Sequence, residues 1–163
     1  MKREMMMQDG ALLLSQVSSL TGSWEGSIER RYCHLSNVSA LLKDYFPNTN
    51  WTGFYIREKD SDHLVLGPFQ GKVACTDIDF KRGVCGKAAS TGQSQLVADV
   101  HCFEGHIACD GASRSELVVP IFASDGQVVA VIDLDSPSVG RFSKEDQLVV
   151  ERIASLLSKR LWA

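Results

Sequence analysis

Residues 105–116 read GHIACDGASRSE, and the cysteine among them, Cys109, has no apolar run beside it to bury the sulfur. Such a thiol is either an inert group beneath a loop or a nucleophile. It becomes a nucleophile only where its thiolate is accessible and stabilised, and His106 and Arg114 are close enough in sequence to supply charge for that purpose. Cys75 in GKVACTD and Cys85 in RGVCGK also stand beside loop residues. A thiol that takes up an oxygen becomes a sulfenic acid, and a second thiol within reach condenses with it to a disulfide. The chain offers candidates for both roles, and without a CxxC pair a thioredoxin-like centre is not expected. Zinc is the competing chemistry. His101, Cys102, His106 and Cys109 fall within nine residues and are all zinc-ligand types. Their spacing, H-C-x3-H-x2-C, is nevertheless not that of a finger or ribbon, and adjacent ligands wrap poorly around one tetrahedral ion. No metal is expected.

The acids suggest a second half to the chemistry. In VIDLD, Asp133 and Asp135 are two residues apart on an expected strand, so they share a face at roughly 6.5 to 7 Å while Ala130, Ile132 and Leu134 point into the core. On a solvated edge such a pair means little. In a pocket, the two carboxylates bind a ligand ammonium, or repel each other until one keeps its proton near neutral pH. Asp99 and Glu116 stand at the ends of the cysteine-bearing segment and are positioned to join them. Trp51 and Tyr55 share a strand face with only Gly53 between them. The plain reading is core packing. The functional reading is that the glycine leaves a gap in which a thioether or methyl group meets two rings.

The elements that must carry these residues are legible from periodicity. The chain has 163 residues, 44% hydrophobic and 23% charged, with a net charge of −3. Those values suit one soluble globular domain, which should bury about 70% of its extended-chain surface. They give no basic footprint for nucleic acid or membrane. The apolar stretch near the start, Ala11 to Leu14, is too short for a signal peptide or a span. Five cysteines, an odd number, fit a reducing compartment, and a cytoplasmic location is expected. A short helix is expected in the first twenty residues, then a break at TGSWEGS and a helix over 28–45 with Leu35, Val38, Leu41 and Leu42 on one face. Strands are expected over 51–58, from HLVLG, around Ala74 to Ile78, and over 95–98, with a short helix over 83–92. The segment 99–114 reads as a long irregular loop of the kind that carries function. ELVVPIFA and VVAVIDLD form a hairpin about SDGQ. A last helix starts at FSKED, capped by Ser143 with Asp146, with Val149, Ile153, Leu156 and Leu157 as its apolar stripe. The sum is an α+β domain, an antiparallel sheet with helices packed mainly on one face. One domain spans 1–163, with 1–22 as a helical arm and 23–163 as the core.

NWTGFYI, LGPFQGKVAC, RGVCGKAASTGQSQLVADVH, GHIACDGASRSELVVPI and VIDLDSP together resemble the free methionine-(R)-sulfoxide reductases, single-domain enzymes of the GAF fold. The resemblance runs from Asn50 to Pro137, and GHIACD with two upstream cysteines is more specific than a generic GAF pattern. It implies that Cys109 attacks the sulfoxide sulfur, that Cys75 resolves the sulfenic acid, and that Cys85 is an auxiliary thiol able to enter disulfide exchange. It matches Asp99, Glu116, Asp133 and Asp135 to the pocket acids and Trp51 and Tyr55 to the aromatic wall, whereas Cys33 and Cys102 match no motif. The implied activity is reduction of free L-methionine-(R)-sulfoxide to methionine, with no bound cofactor and with thioredoxin, driven by NADPH, as external reductant. Glu116 is the first choice of proton donor and Asp135 the next. GAF domains commonly pair through their helices, so a homodimer is compatible with the resemblance. The rival is a non-catalytic GAF sensor for an amino-acid-like ligand, for which three motif cysteines would be superfluous.

Overall fold

The computed structural model describes residues 2–22, 26–105 and 111–163. Its elements are helix α1 (Lys2–Leu20), helix α2 (Ile28–Tyr45), strands β1 (Trp51–Arg57), β2 (His63–Gln70) and β3 (Asp77–Asp79), helix α3 (Gly83–Thr91), strands β4 (Gln95–Val97), β5 (Ser115–Phe122) and β6 (Val128–Ser136), and helix α4 (Lys144–Leu161). The strands form one six-stranded antiparallel sheet in the order β3-β2-β1-β6-β5-β4. The fold class is the expected α+β arrangement. No helix among the described residues is long and apolar enough to cross a membrane.

Period-two patterning assigns each strand two faces, and each face has its own core. On one face Phe54, Leu117, Val119, Ile121, Ala130, Ile132 and Leu134 meet Leu35, Val38 and Leu42 of α2 and Val150, Ile153 and Leu157 of α4. Helix α2 lies on β1 and β2, α4 on β5, and α1 on α2 and α4. Two hydroxyls tie α2 to the sheet: Ser39 Oγ donates to Pro68 O at 3.0 Å, and Thr52 Oγ1 donates to Ser39 O at 3.1 Å. On the other face α3 packs over β3, β4, β5 and β6. Its layer holds Trp51, Tyr55, Val84, Ala88, Val118 and Val131, with Cys85 among them.

Local signals explain most element ends. Ser143 accepts from the Asp146 amide and Asp146 reciprocates, the expected capping box, which is worth about 1 kcal/mol. The buried stripe of α4 runs through Val150, Ile153, Ala154, Leu157 and Leu161, which includes the expected Ile153 and Leu157, while the expected Val149 and Leu156 are half-buried against the same core. The reason is that two surfaces bound this helix: Val149 faces α1, with Cγ2 at 3.0 Å from where a Cβ on Gly10 would stand. Helix α1 is also longer than expected, reaching 19 residues. The expected strand around Ala74 to Ile78 begins only at Asp77.

The seat of α3 depends on Gly86. A Cβ there would lie 2.4 Å from Asp79 O, a backbone atom that cannot swing aside. Gly86→Ala must therefore lift α3 from β3, and it should cost about 1–3 kcal/mol in a urea melt. Unchanged stability would show that α3 is not clamped at this point.

Candidate active site

Strand register assembles the site on the α3 face. Asp133 lies opposite Gly53 of β1 and Val118 of β5, and Asp135 lies opposite Trp51 and Glu116. Since directly opposed residues share a face, Trp51, Asp135 and Glu116 form one row across three strands. Asp133 stands in the next row. Glu116 is also paired with Val97 at the start of the cysteine-bearing segment.

Helix α3 closes this acidic row with a thiol. Cys85 Sγ lies 3.3 Å from Asp133 Oδ2, to which it donates, and 4.0 Å from Glu116 Oε1. Cys85, Glu116 and Asp133 are 5%, 7% and 5% exposed, so water contributes little to stabilising their charged forms. Burial first, then the charges of Asp133 and Asp135, hold the Glu116 carboxyl well above the usual carboxylate range. Burial also raises Asp133, to about 7, against the lowering effect of its hydrogen bonds with Cys85 and Glu116. The Cys85 thiol is pushed up by burial and by the neighbouring acids. At neutral pH Glu116 and Cys85 hold their protons. Asp133 Oδ1 is buried without a hydrogen-bond partner among the described residues, and so is Trp51 Nε1.

The aromatic wall differs from its expectation. Trp51 and Tyr55 do share a face, but their centroids are 5.6 Å apart with 21° between the planes, so the rings stack on each other. No thioether fits between them. Gly53 serves the backbone instead: a Cβ there would lie 2.4 Å from Phe69 Cβ and 2.8 Å from Phe69 Cα. The β2 residue takes up the space that the glycine leaves, and its ring stacks on Trp51 at 5.1 Å and 14°. Phe69 is thus a wall residue that sequence reasoning missed. Alternation did not point to it: a regular register running on from Tyr55 opposite Leu66 would set Pro68 opposite Gly53, and an irregularity between Gly53 and Tyr55 brings Phe69 there instead.

The remaining candidates lie around this core. Tyr55 Oη donates to Cys75 O at 3.0 Å, tying the Cys75 loop to the aromatic strand. Cys75 is disulfide-bonded, whereas Cys33, Cys85 and Cys102 are free thiols. Asp99 is held differently from the other acids. It caps a 3₁₀ turn at Val100–Cys102 by accepting from the His101 amide at 3.1 Å, and it pairs with Arg114 at 3.5 Å. The His101 amide first, and then Arg114, hold its carboxyl below the usual range. The segment 99–114 is consequently not wholly irregular. Val100 is buried and donates its amide to Arg114 O, Arg114 donates to Ser136 O, and Gly105 O accepts from the Gly83 amide at the start of α3. His106 and Cys109 lie outside the described residues. Of the zinc alternative, the described members are His101, which pairs with Asp99 at 3.3 Å, and Cys102, an exposed free thiol.

Comparison with known proteins places this arrangement. The GAF domain family matches residues 37–161. The free methionine-R-sulfoxide reductase of Escherichia coli (strain K12) is 49% identical over 127 residues, covering 78% of this chain and 75% of that protein. The free methionine-R-sulfoxide reductase of Saccharomyces cerevisiae is 47% identical over 132 residues, with 78% and 73% covered. The X-ray structure of the free methionine-R-sulfoxide reductase from Neisseria meningitidis in complex with its substrate superposes with a TM-score of 0.84 at 43% identity, covering 93% of this chain and 89% of that one. With the fold and this degree of identity in agreement, the chain belongs to the free methionine-(R)-sulfoxide reductase family of GAF domains.

Proposed function

We propose that this protein reduces free L-methionine-(R)-sulfoxide to L-methionine. The observation that carries the reading is the buried group of Glu116, Asp133 and Cys85 facing an aromatic wall, in a chain nearly half identical to reductases named for that substrate. In this reading Asp133 and Asp135 hold the substrate's α-ammonium, which supplies the partner that Asp133 Oδ1 lacks among the described residues. Asp99, through its pair with Arg114, anchors the end of the segment that delivers Cys109 to the cleft. Trp51 and Tyr55, with Phe69, bound the cleft on the side of the thioether. A methionine within a peptide has no ammonium at this point and would leave buried acids unpaired.

Cys109, as its thiolate, attacks the sulfoxide sulfur while the oxygen takes up a proton. The hydroxyl then passes to the Cys109 sulfur as the substrate's S–O bond and the transient S–S bond break. Glu116, whose carboxyl keeps its proton at neutral pH, is the donor, with Asp135 the alternative. Methionine leaves, and Cys109 is left as a sulfenic acid. Cys75 attacks that sulfur, water departs, and a Cys75–Cys109 disulfide forms. The disulfide state of Cys75 beside three free thiols supports this pairing. Cys85 is a poor candidate for either step while it is buried and protonated, which suits an auxiliary role. Thioredoxin, kept reduced by NADPH, returns the pair to thiols by exchange. The sensor reading has no comparable use for the thiols.

With reductant withheld, R-sulfoxide should yield one methionine per chain and consume the Cys75 and Cys109 thiols together, as read by intact mass and peptide mapping. Cys109→Ser should abolish turnover, and Cys75→Ser should allow one fast turnover only. Thiols untouched by the R form would remove the enzyme reading. A second test concerns the acids. Asp133 titrates near 7 in the fold against 3.8 as an ordinary aspartate. As pH rises from about 4 to 7, the unfolded chain gives up this proton while the folded chain retains it, so this group progressively disfavours folding. Asp133→Asn should thus be more stable than the parent at pH 8, by up to about 4 kcal/mol, and lose that advantage below about pH 4. Urea melts at both pH values measure it, and a destabilised variant at pH 8 would mean that the carboxylate is not held in a desolvated, acidic setting.

A further inference from the structure

We propose that Cys85, Glu116 and Asp133 form a binding site for a borderline-soft divalent cation of the zinc type, and that the bound ion excludes substrate from the cleft. The three donor atoms come from α3, β5 and β6 and all lie within 4.8 Å of one another. In a tetrahedral site with zinc–sulfur near 2.3 Å and zinc–oxygen near 2.1 Å, the sulfur–oxygen edge is about 3.6 Å. The two sulfur–oxygen separations, 3.3 Å to Asp133 Oδ2 and 4.0 Å to Glu116 Oε1, fall on either side of that value. The two sulfur–oxygen edges therefore fit an ion with shifts of a few tenths of an ångström, and the third edge is within 4.8 Å.

A second observation points the same way. Asp133 is 5% exposed, and its Oδ1 is buried with no hydrogen-bond partner among the described residues. That oxygen belongs to the carboxyl group that already receives the Cys85 thiol, so a buried acceptor stands unsatisfied beside the ligand set. A thiolate with two carboxylates also sets the selectivity. Sulfur favours zinc, cobalt or copper over magnesium and calcium, which prefer sites made of oxygen alone. On binding, the ion replaces the Cys85 thiol proton and the carboxyl protons, which pass to solvent. This ligand set shares no residue with the loop group of His101, Cys102, His106 and Cys109.

The ion site rests on geometry alone. Its inhibitory effect rests on the reading of the acids as the ammonium cradle, since the ion occupies the same carboxylate oxygens. Both are tested by titrating the reduced full-length chain with Co²⁺ alone and following the thiolate-to-cobalt charge-transfer absorption. One Co²⁺ per chain is expected, displaced by Zn²⁺, with the absorption absent in Cys85→Ser and retained in Cys109→Ser. Glu116→Gln, which leaves the sulfur in place, should weaken Co²⁺ binding by at least about tenfold with an unchanged circular dichroism spectrum. That variant keeps the test decisive should Cys85→Ser fail to fold. An absorption that survives Cys85→Ser, or one lost in Cys109→Ser, overturns the site. Free methionine added in excess should lower the apparent Co²⁺ affinity. A Cys85-dependent signal indifferent to methionine would uphold the ion site and overturn the competition.

Discussion

Two carboxyl groups and a thiol lie buried together between α3 and the sheet, and the rest of the molecule is arranged around that burden. Isolated buried carboxylates are too costly to persist as charges, so the fold meets the cost with protons and internal hydrogen bonds. Cys85 donates to Asp133, and Glu116 keeps its own proton at neutral pH. The charge left for an entering cation to meet is that of Asp133, which ionises near 7. A sheet with separate cores on its two faces makes this tolerable. Helices α1, α2 and α4 cover a mainly aliphatic core on one side, and the other face holds α3, the aromatic wall and the acids.

The cysteines are separated by environment more than by sequence context. Cys85 and Cys75 both stand beside glycines and small residues in the chain, yet one is buried against acids and the other is half-buried and oxidised. The difference comes from what covers each. Cys85 is in the first turn of a helix seated against β3 through Gly86. Cys75 lies in the connection before β3, next but one to Val73, which is 89% exposed. Its carbonyl is fixed by the Tyr55 hydroxyl. A thiol in this position can meet an external dithiol, and one beneath α3 cannot do so without local opening.

Alternation along single strands was enough to place Trp51 with Tyr55, Asp133 with Asp135, and Ala130, Ile132 and Leu134 on the opposite face. Helix limits for α2 and the cap of α4 were equally plain, because they depend on neighbours three and four residues away. The partners of those strands were a different matter. Which residue of β5 opposes Asp135, and that Phe69 fills the notch over Gly53, are facts of register between neighbouring strands, and each of these hairpins carries an irregularity that shifts its register, between Gly53 and Tyr55 and between Ile121 and Phe122. Periodicity fixes a face and leaves the opposite number open. The same limit explains α4, whose stripe turns because α1 claims a second side of it.

The state of Cys85 shows which of two opposed effects governs the pocket. Cys85 is the third residue of α3, where the helix N-terminus favours a thiolate by roughly 0.3–1 kcal/mol. Against this stands Asp133 Oδ2 at 3.3 Å. Two unit charges at that distance repel by about 5 kcal/mol even at an effective dielectric of about 20. The acid prevails, and it prevails more strongly as pH rises, because Asp133 ionises near 7 while the thiol lies well above its ordinary range. Raising the pH therefore does not liberate the sulfur. Burial is the first reason that Cys85 keeps its proton and the neighbouring acids the second, and a cation among these oxygens removes the second. The substrate's ammonium and a divalent ion would act through this one lever, and they differ in their hold on the thiol. An ammonium makes hydrogen bonds to the acids and leaves the sulfur free, whereas the metal takes the sulfur as a ligand.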